Sequence, residues 1–180
     1  MKKWVHDQLI CPQCLEKAVP LDLSIREAVA DDIIAGEMTC PACGGRFPIQ
    51  QGIAVLLPEK TRTILDDRGG YNTPAMLSAY LWSHFCDFLG DPKATDAYRV
   101  WSTSFQPTDG DALDVGCAVG RLSFELAATH HHVIGLDTSI TFIRKAREIL
   151  ARKRLDFDLI VEGHVESYNV RTLGKATCKA

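Results

Sequence analysis

Four cysteines, arranged as two CxxC pairs, constrain the fold of the first third of this chain. The sequence reads CPQC from Cys11 to Cys14 and CPAC from Cys40 to Cys43. Each pair can place two thiolates on one side of a tight turn, and two such turns complete a tetrahedral site of the kind that Zn²⁺ prefers. Because four thiolates leave no open coordination position, we expect the zinc to be structural and not catalytic.

Two other interpretations of these cysteines are open. Four ordinary buried cysteines would not require the repeated spacing, and a CxxC redox pair would not require a second CxxC. The chain has seven cysteines, and the other three stand apart, at Cys86, Cys117 and Cys178. The segment that contains both pairs, residues 1–58, is too short to bury a large core. We therefore predict that metal binding keeps this segment folded and that metal removal unfolds it.

The chain has 180 residues, which suits one full domain or two small ones. Apolar residues make up 46% and charged residues 24%, so we expect a globular protein and not a disordered one. We expect a zinc-ribbon domain over 1–58, a polar linker over 59–73 and a second domain over 74–180. Within the ribbon, apolar residues near helical spacing predict an amphipathic helix over 24–38.

Residues 74–180 show the pattern of an α/β domain. Thr73 and Pro74 are typical of a helix N-cap and first helical position. The predicted elements are helices over 74–90 and 91–105, a strand from Ala112, a helix over 121–129, a strand over 132–136, a helix over 140–152 and a strand over 157–161. The β-α-β-α order from Ala112 onward indicates a parallel sheet.

A glycine-bearing turn lies at the end of the first of these strands. The segment from Asp114 to Gly120 reads DVGCAVG and opens a helix. Gly116 and Gly120 let the backbone turn tightly and leave room for a ligand against the peptide planes. The next strand ends in Asp137, which is placed to accept both hydroxyls of a ribose. We therefore expect a small ribose-containing ligand here.

Two cofactor classes use this layout. A dinucleotide fingerprint would need glycines where this chain has Ala118 and Arg121, which argues against a nicotinamide-dependent oxidoreductase. By contrast, ALDVGCAVG followed by VIGLDTS resembles motif I and the acidic post-motif of the S-adenosylmethionine-dependent methyltransferases with a Rossmann-like fold. That motif usually reads DxGxGxG, and Ala118 stands at its middle glycine. The resemblance implies the N-terminal part of such a domain, with an incomplete Rossmann-like sheet.

The resemblance also implies a set of cofactor-binding residues. They are Asp114, Gly116, Cys117, Ala118, Gly120, Asp137 and His164. Asp137 would hold the ribose, and Asp114 would serve the methionyl ammonium group or the cofactor loop, unless it only caps the strand end. We interpret Cys117 as an inert packing residue. His164 stands in VEGHVE where the family places an adenine contact, so either His164 replaces that contact or this is not the third strand.

The first third of the chain carries a second resemblance. LICPQC, followed by MTCPACGGRFPIQQGIAVLLP, resembles the small zinc-ribbon proteins that activate methyltransferases modifying tRNA and translation factors. In that family the segment corresponding to residues 47–57 forms the last hairpin. The resemblance implies a folding or docking module for a methyltransferase, fused here in cis.

Charge and hydropathy restrict the other partners. A formal charge of −3 is too small to steer the whole molecule to nucleic acid or an anionic membrane. The basic run over 144–154 favours a solvated helix face, although contact with an RNA backbone stays open.

His130, His131 and His132 favour a solvated turn over a metal cluster. No apolar run approaches a membrane span and no secretory signal begins the chain, so we expect a cytoplasmic location.

The segment after Glu166 lacks the later parts of a methyltransferase domain. It has neither a further apolar strand nor an NPPY-like or DPPY-like motif, so the sequence assigns no catalytic residue. We expect a fragment or truncated reading frame, or a partner protein that completes the sheet. GCAVGRLSFELA is similar to the methyltransferase segment of ovothiol biosynthesis, which hints at a small thiol-imidazole acceptor. The predicted function is S-adenosylmethionine-dependent methyl transfer; the alternative is a non-catalytic zinc-ribbon adaptor.

Overall fold

The computed structural model describes residues 1–65, 69–90, 94–161 and 164–170. The chain divides into two compact units, Met1–Asp67 and Arg68–Ala180. Each unit has its own hydrophobic core and is described separately.

The first unit is built on a four-stranded antiparallel sheet whose strands follow each other in chain order. The strands are β1 (Asp22–Val29), β2 (Asp32–Thr39), β3 (Arg46–Gln50) and β4 (Ile53–Ala54). A short helix, α1 (Lys3–His6), and a 3-10 turn at Leu15–Lys17 precede the sheet, and a 3-10 segment at Glu59–Leu65 follows it.

The helix predicted over residues 24–38 is wrong, because this segment forms the β1–β2 hairpin. Its β-branched residues favour strands, and the core-facing residues of β2 alternate with period two at Gly36 and Met38. A Cβ at Gly36 would lie 2.7 Å from the Ser24 carbonyl oxygen, so the glycine allows the two strands to approach. The apolar spacing of this segment fits a helix, but packing between the strands favours the hairpin, and the hairpin forms.

The core of the first unit includes two of the four paired cysteines. Phe47 and Ile49 of β3 are fully buried and pack with Met38, Cys11 and Cys40. The cysteine cluster is therefore part of the hydrophobic core of the first unit.

The second unit alternates helices and strands. Its helices are α2 (Pro74–Phe85), α3 (Ala97–Ser102), α4 (Arg121–Leu126) and α5 (Ile140–Arg152), with 3-10 turns at Gly70–Asn72 and Cys86–Phe88. Its strands are β5 (Asp111–Val115), β6 (His132–Leu136), β7 (Leu155–Val161) and β8 (His164–Val170). None of the helices in the described ranges is long and apolar enough to cross a membrane.

The bounds of several elements agree with the sequence prediction. The Thr73 side chain accepts a hydrogen bond from the Met76 N–H at 3.2 Å, which caps α2 as expected. Strand β6 and helix α5 have the predicted bounds, and the Ser139 hydroxyl caps α5. Helix α3 is shorter than predicted; residues 91–93, where its start was expected, lie outside the described residues.

The sheet differs from the prediction after α5. Strands β5 and β6 pair in parallel, as expected. The third strand forms, but it pairs antiparallel with β8 and shares no ladder with β6. The connection between β7 and β8 is only residues 162–163, and a link this short joins antiparallel neighbours, whereas a parallel pair needs a long crossover. The parallel part of the described sheet therefore has two strands.

The core of the second unit lies under the turn between β5 and α4. Val119, Phe124, Phe142 and Ile149 pack with α2 residues around this turn. On the strands, by contrast, Leu113 is 60% exposed and the neighbouring Val115 is 75% exposed. The glycine-bearing turn is thus supported by a packed core, while the apolar side chains of β5 are open to solvent.

Candidate functional site

The structure brings the four predicted metal ligands together. The Sγ atoms of Cys11 and Cys43 are 3.7 Å apart, those of Cys14 and Cys40 are 4.0 Å apart, and all four lie within 4.8 Å of one another. A tetrahedral Zn²⁺ site with Zn–S bonds of about 2.3 Å needs sulfur–sulfur separations of about 3.8 Å. The cluster therefore has the dimensions of a four-thiolate metal centre.

Two turns of the backbone position these thiols. The Cys14 N–H donates to the Cys11 carbonyl at 3.1 Å, and the Gly44 N–H donates to the Cys40 carbonyl at 2.9 Å. Gly44 has a φ of +71°, which a residue with a side chain rarely adopts. The turn at residues 40–43 joins β2 to β3. The pairing of these two strands therefore fixes its position relative to the turn at residues 11–14.

The protonation of these thiols depends on their surroundings. Burial raises the pKa of Cys11, and the hydrogen bond with Cys43 raises the pKa of Cys14 to about 12. Burial also opposes ionisation of Cys40, but backbone N–H donors from Cys43 and Ala42 outweigh it and lower the pKa to about 7. A cation bound among the four sulfurs would favour the thiolate form of each.

The glycine-bearing turn between β5 and α4 forms a loop with an open side. The N–H groups of Gly116 and Cys117 both donate to the Leu136 carbonyl, at 2.8 and 2.9 Å, which ties the loop to β6. Gly116 has a φ of +81°, and a Cβ added there would meet nothing within 4 Å. Ala118, at the usual place of a glycine, has a φ of +47°. The loop thus adopts a backbone suited to glycine and leaves space beside Gly116.

Two further glycines are required by close packing. A Cβ at Gly120 would lie 2.9 Å from the Phe124 ring. A Cβ at Gly135, in β6, would lie 2.9 Å from the Cys117 sulfur and 3.1 Å from the Ser123 hydroxyl. The sequence analysis did not single out Gly135; its signal is a glycine inside an apolar strand, which often marks a close approach.

Replacing Gly135 with alanine is expected to destabilise the second unit. The added methyl group would push the loop away from β6, and overpacking of this kind costs about 1–3 kcal/mol. Urea unfolding followed by fluorescence would measure the loss. Gly110→Ala is the matched control, because a Cβ there would only touch the Thr108 side chain at 3.4 Å. Equal stability of the two variants would contradict the packing role of Gly135.

Asp137 faces the loop. Its Oδ2 accepts a hydrogen bond from the Ala118 N–H at 2.9 Å, and its Oδ1 accepts one from the Ser139 N–H at 2.7 Å. A carboxylate oxygen can accept a second bond, so Asp137 retains capacity for ligand hydroxyls. Asp114 is buried, and its Oδ2 accepts from the Ser123 hydroxyl at 2.7 Å, as an acid that caps the strand end would.

Cys117 and His164 are the other two side chains among the predicted cofactor contacts. Burial raises the pKa of Cys117 to about 12, and the charges of Asp114 and Asp137 add to the shift. A thiol with that pKa stays protonated near neutral pH and is a poor nucleophile. His164 begins β8, in the hairpin with β7. Its side chain lies outside the described part of the chain, so its adenine contact stays a prediction.

A buried arginine, considered in the sequence only for its mismatch to the dinucleotide motif, follows the loop directly. Arg121 is 1% exposed, and its guanidinium makes two bonds of 2.6 and 2.9 Å to the Asp87 carboxylate. It also bonds Glu125 and donates to the His84 carbonyl at 3.0 Å. These bonds join the first residue of α4 to the end of α2.

The three consecutive histidines do not act as one group. His131 and His132 approach Asp111, with Nδ1 to Oδ1 distances of 3.9 and 2.9 Å, while His130 bonds the end of α4. Asp111 and His132 are paired across β5 and β6 at the start of both strands. This cluster therefore lies at the opposite ends of the strands from the glycine loop.

Comparisons with known proteins identify both segments. Residues 2–52 match the Trm112p-like protein family, and residues 112–173 match a methyltransferase domain family. Over 66 residues the chain is 42% identical to the cypemycin N-terminal methyltransferase of a Streptomyces species. That match covers 36% of this chain and 25% of the relative, so the chain spans about a quarter of the length of that curated protein. The chain thus carries a Trm112p-like segment followed by a methyltransferase-domain segment, and both resemblances are confirmed.

Proposed function

We propose that the second unit binds S-adenosylmethionine and serves methyl transfer to an acceptor nucleophile. The observation that carries the proposal is the contact between Asp137, at the tip of β6, and the Ala118 N–H of the glycine loop at 2.9 Å. This contact holds a carboxylate against the loop that leaves open space at Gly116, which supports a role for Asp137 in binding the ribose. When bound, the cofactor would supply an electrophilic sulfonium methyl group.

The residues of the chain would bind and orient this cofactor. Asp137 would accept bonds from the ribose hydroxyls, and the backbone of Gly116, Cys117, Ala118 and Gly120 would line the adenosyl moiety. Asp114 would stand near the methionyl ammonium group, and His164 near the adenine. Alignment of the acceptor with the methyl group and exclusion of water would be the main contributions of the protein.

We propose that the cysteine cluster holds a structural Zn²⁺. The sulfur separations support four-thiolate coordination, and such a site leaves no position for substrate. Thiolate metal centres are typical of reducing compartments, which supports a cytoplasmic location. We also propose that the chain divides into a zinc ribbon over 1–58, a linker over 59–73 and the N-terminal part of a methyltransferase domain over 74–180.

The second candidate function is a non-catalytic adaptor in which the methyltransferase segment is only a docking surface. Two observations favour it: Leu113 and Val115 leave one face of β5 exposed to solvent, and among the described residues no strand pairs with the outer edge of β5. The same edge would accept further strands of an enzyme or of a protein partner. Ligand binding by the chain separates the two candidates.

A panel of ligands tests the proposal. S-adenosylmethionine, S-adenosylhomocysteine and NAD are added at equal concentration to the purified zinc-loaded chain, and thermal unfolding is followed. A ligand at 100 times its dissociation constant stabilises the folded state by about 2.7 kcal/mol. We expect both adenosyl sulfur ligands to raise the unfolding temperature and NAD to leave it unchanged. A shift with NAD, or with none of the three, would contradict the proposal.

Substitution of Asp137 by alanine is expected to weaken S-adenosylhomocysteine binding by about 100-fold, because two ribose hydroxyls lose a charged acceptor. Calorimetric titration measures the loss. Asp111→Ala, at the other end of the sheet, is the control and should bind like the unmodified chain. Equal affinities of the two variants would exclude Asp137 from the site.

A further inference from the structure

A carboxylate and two imidazole rings meet where strands β5 and β6 begin. The Nδ1 atom of His132 lies 2.9 Å from Asp111 Oδ1, and the Nδ1 atom of His131 lies 3.9 Å from the same oxygen. The centroids of the two rings are 4.0 Å apart. The nitrogen atoms of the rings and the carboxylate oxygen all lie within 4.8 Å of one another, close enough to share one metal ion. We define the strand-start cluster as Asp111, His131 and His132.

The backbone explains why two neighbouring histidines approach one acid. Successive side chains of a strand point to opposite faces, and on that ground the sequence predicts a solvated turn. In the structure, β6 begins at His132, and His131 lies in the bend before it, where this alternation does not apply. The His131 N–H donates to the Gly110 carbonyl at 3.0 Å, and Asp111 pairs with His132 in the parallel ladder. These backbone contacts bring the three side chains together.

An ion pair between a histidine and the acid accounts for only part of this arrangement. Such a pair would use one imidazole, whereas here two imidazoles place a ring nitrogen near one carboxylate oxygen. If both rings were protonated, their like charges would repel at a centroid separation of 4.0 Å. Two neutral imidazoles and a carboxylate instead offer three ligand atoms to a cation.

The ligand atoms select the class of ion. Mg²⁺ and Ca²⁺ prefer oxygen ligands, whereas imidazole nitrogens suit Zn²⁺, Ni²⁺, Cu²⁺ and iron. Ligand atoms about 2.0–2.1 Å from one ion lie about 2.9 Å apart at neighbouring positions of an octahedron and about 3.3 Å apart in a tetrahedron. The His132–Asp111 separation of 2.9 Å fits the octahedral value. His131, at 3.9 Å, would have to move closer, and its side chain is 67% exposed and has space to rotate.

We propose that the strand-start cluster binds a divalent transition-metal ion through two imidazole nitrogens and one carboxylate oxygen. Three protein ligands leave coordination positions open, which water or a small anion fills. Strand β5 has five residues and is about 13 Å long, so the ion is too far from the glycine loop to contact the cofactor. The ion instead joins the starts of β5 and β6, and this inference does not depend on the proposed function.

A nickel titration tests this site. The zinc-loaded chain, purified without an added histidine tag, is titrated with Ni²⁺ in a calorimeter. The same titration is done with His131→Ala, His132→Ala and Asp111→Asn, each of which changes one ligand. His130→Ala is the matched control, because His130 is the neighbouring histidine but its Nδ1 lies 3.1 Å from the Leu126 carbonyl oxygen.

We expect the unmodified chain to bind one Ni²⁺ in addition to the zinc. Removing a group that only supports a metal ligand weakens binding by about 10- to 100-fold, so each ligand variant should bind Ni²⁺ at least about tenfold more weakly. His130→Ala should bind as tightly as the unmodified chain. Unchanged affinity in the three ligand variants, an equal loss in His130→Ala, or no binding by the unmodified chain would overturn the site and leave an ion pair.

Amide NMR of the unmodified chain covers the case in which a ligand variant does not fold. Octahedral Ni²⁺ is paramagnetic, so it broadens the signals of nearby amides. We expect Ni²⁺ to broaden residues 110–113 and 130–133 before residues 116–120, and we expect Mg²⁺ to have no effect, because it prefers oxygen ligands. Uniform broadening, broadening at the cysteine turns alone, or the absence of broadening would overturn the site.

Discussion

Removal of zinc should unfold the first unit and leave the second unit folded. Cys11 and Cys40 are both proposed zinc ligands and fully buried core residues, so we expect metal binding and formation of the apolar core to occur together. Zinc binding by comparable small domains contributes about 10–16 kcal/mol, far more than a four-stranded sheet of this size can supply alone. A chelator titration followed by circular dichroism and amide NMR measures the loss of the sheet.

Metal stoichiometry in two variants completes this test. Cys11→Ser should release the zinc, whereas Cys86→Ala, a buried cysteine of the second unit, should retain one zinc per chain. A stoichiometry well below one in the unmodified chain, with β1 to β4 still folded in chelator, would refute the four-cysteine centre.

Arg121→Met should destabilise the second unit by about 3–5 kcal/mol, the usual cost of removing one partner from a buried ion pair. The substitution would leave the Asp87 carboxylate without its two bonds and the His84 carbonyl without a donor. Because Arg121 begins α4, the glycine loop should also lose its fixed position. Urea unfolding measures the stability, and proteolysis within the loop measures its order.

Arg99→Met is the matched control for this prediction. Arg99 also pairs with an aspartate, Asp96, but both side chains are at least half exposed. An exposed pair contributes about 0–1 kcal/mol. If the two variants are equally stable, the buried arginine does not hold the loop, and the link between α2 and α4 has another origin.

Local signals explain which parts of the fold the sequence could predict. The cysteine spacing identifies the metal ligands because a CxxC turn is a short-range structure. Helix α5 begins at a serine cap and has one apolar stripe, so its bounds follow from local chemistry. The residues of the loop from Gly116 to Gly120 could also be predicted, because the spacing of the glycines is a local feature of the sequence.

Long-range contacts explain the failures. Residues 24–38 carry apolar spacing that fits a helix, but β2 pairs with both β1 and β3, and these cross-strand contacts make it a strand. Strand β7 was predicted, but its partner was not, because the choice of partner depends on a two-residue connection that composition does not reveal.

Two residues beside the loop owe their roles to contacts within the fold. Gly135 matters because a cysteine approaches it, and Arg121 because two acids surround it. Gly135 had a sequence signal, a glycine inside an apolar strand, that the sequence analysis did not use. Arg121 had none, because its partner Asp87 is distant in sequence.

Titration of the purified, zinc-loaded chain with S-adenosylhomocysteine in a calorimeter tests the central claim most directly. The claim is that the loop from Gly116 to Gly120 and the Asp137 carboxylate together bind an adenosyl sulfur ligand. We expect one site per chain with a micromolar dissociation constant, or about −8 kcal/mol. A folded, zinc-loaded chain that releases no heat of binding would contradict the claim and favour the adaptor.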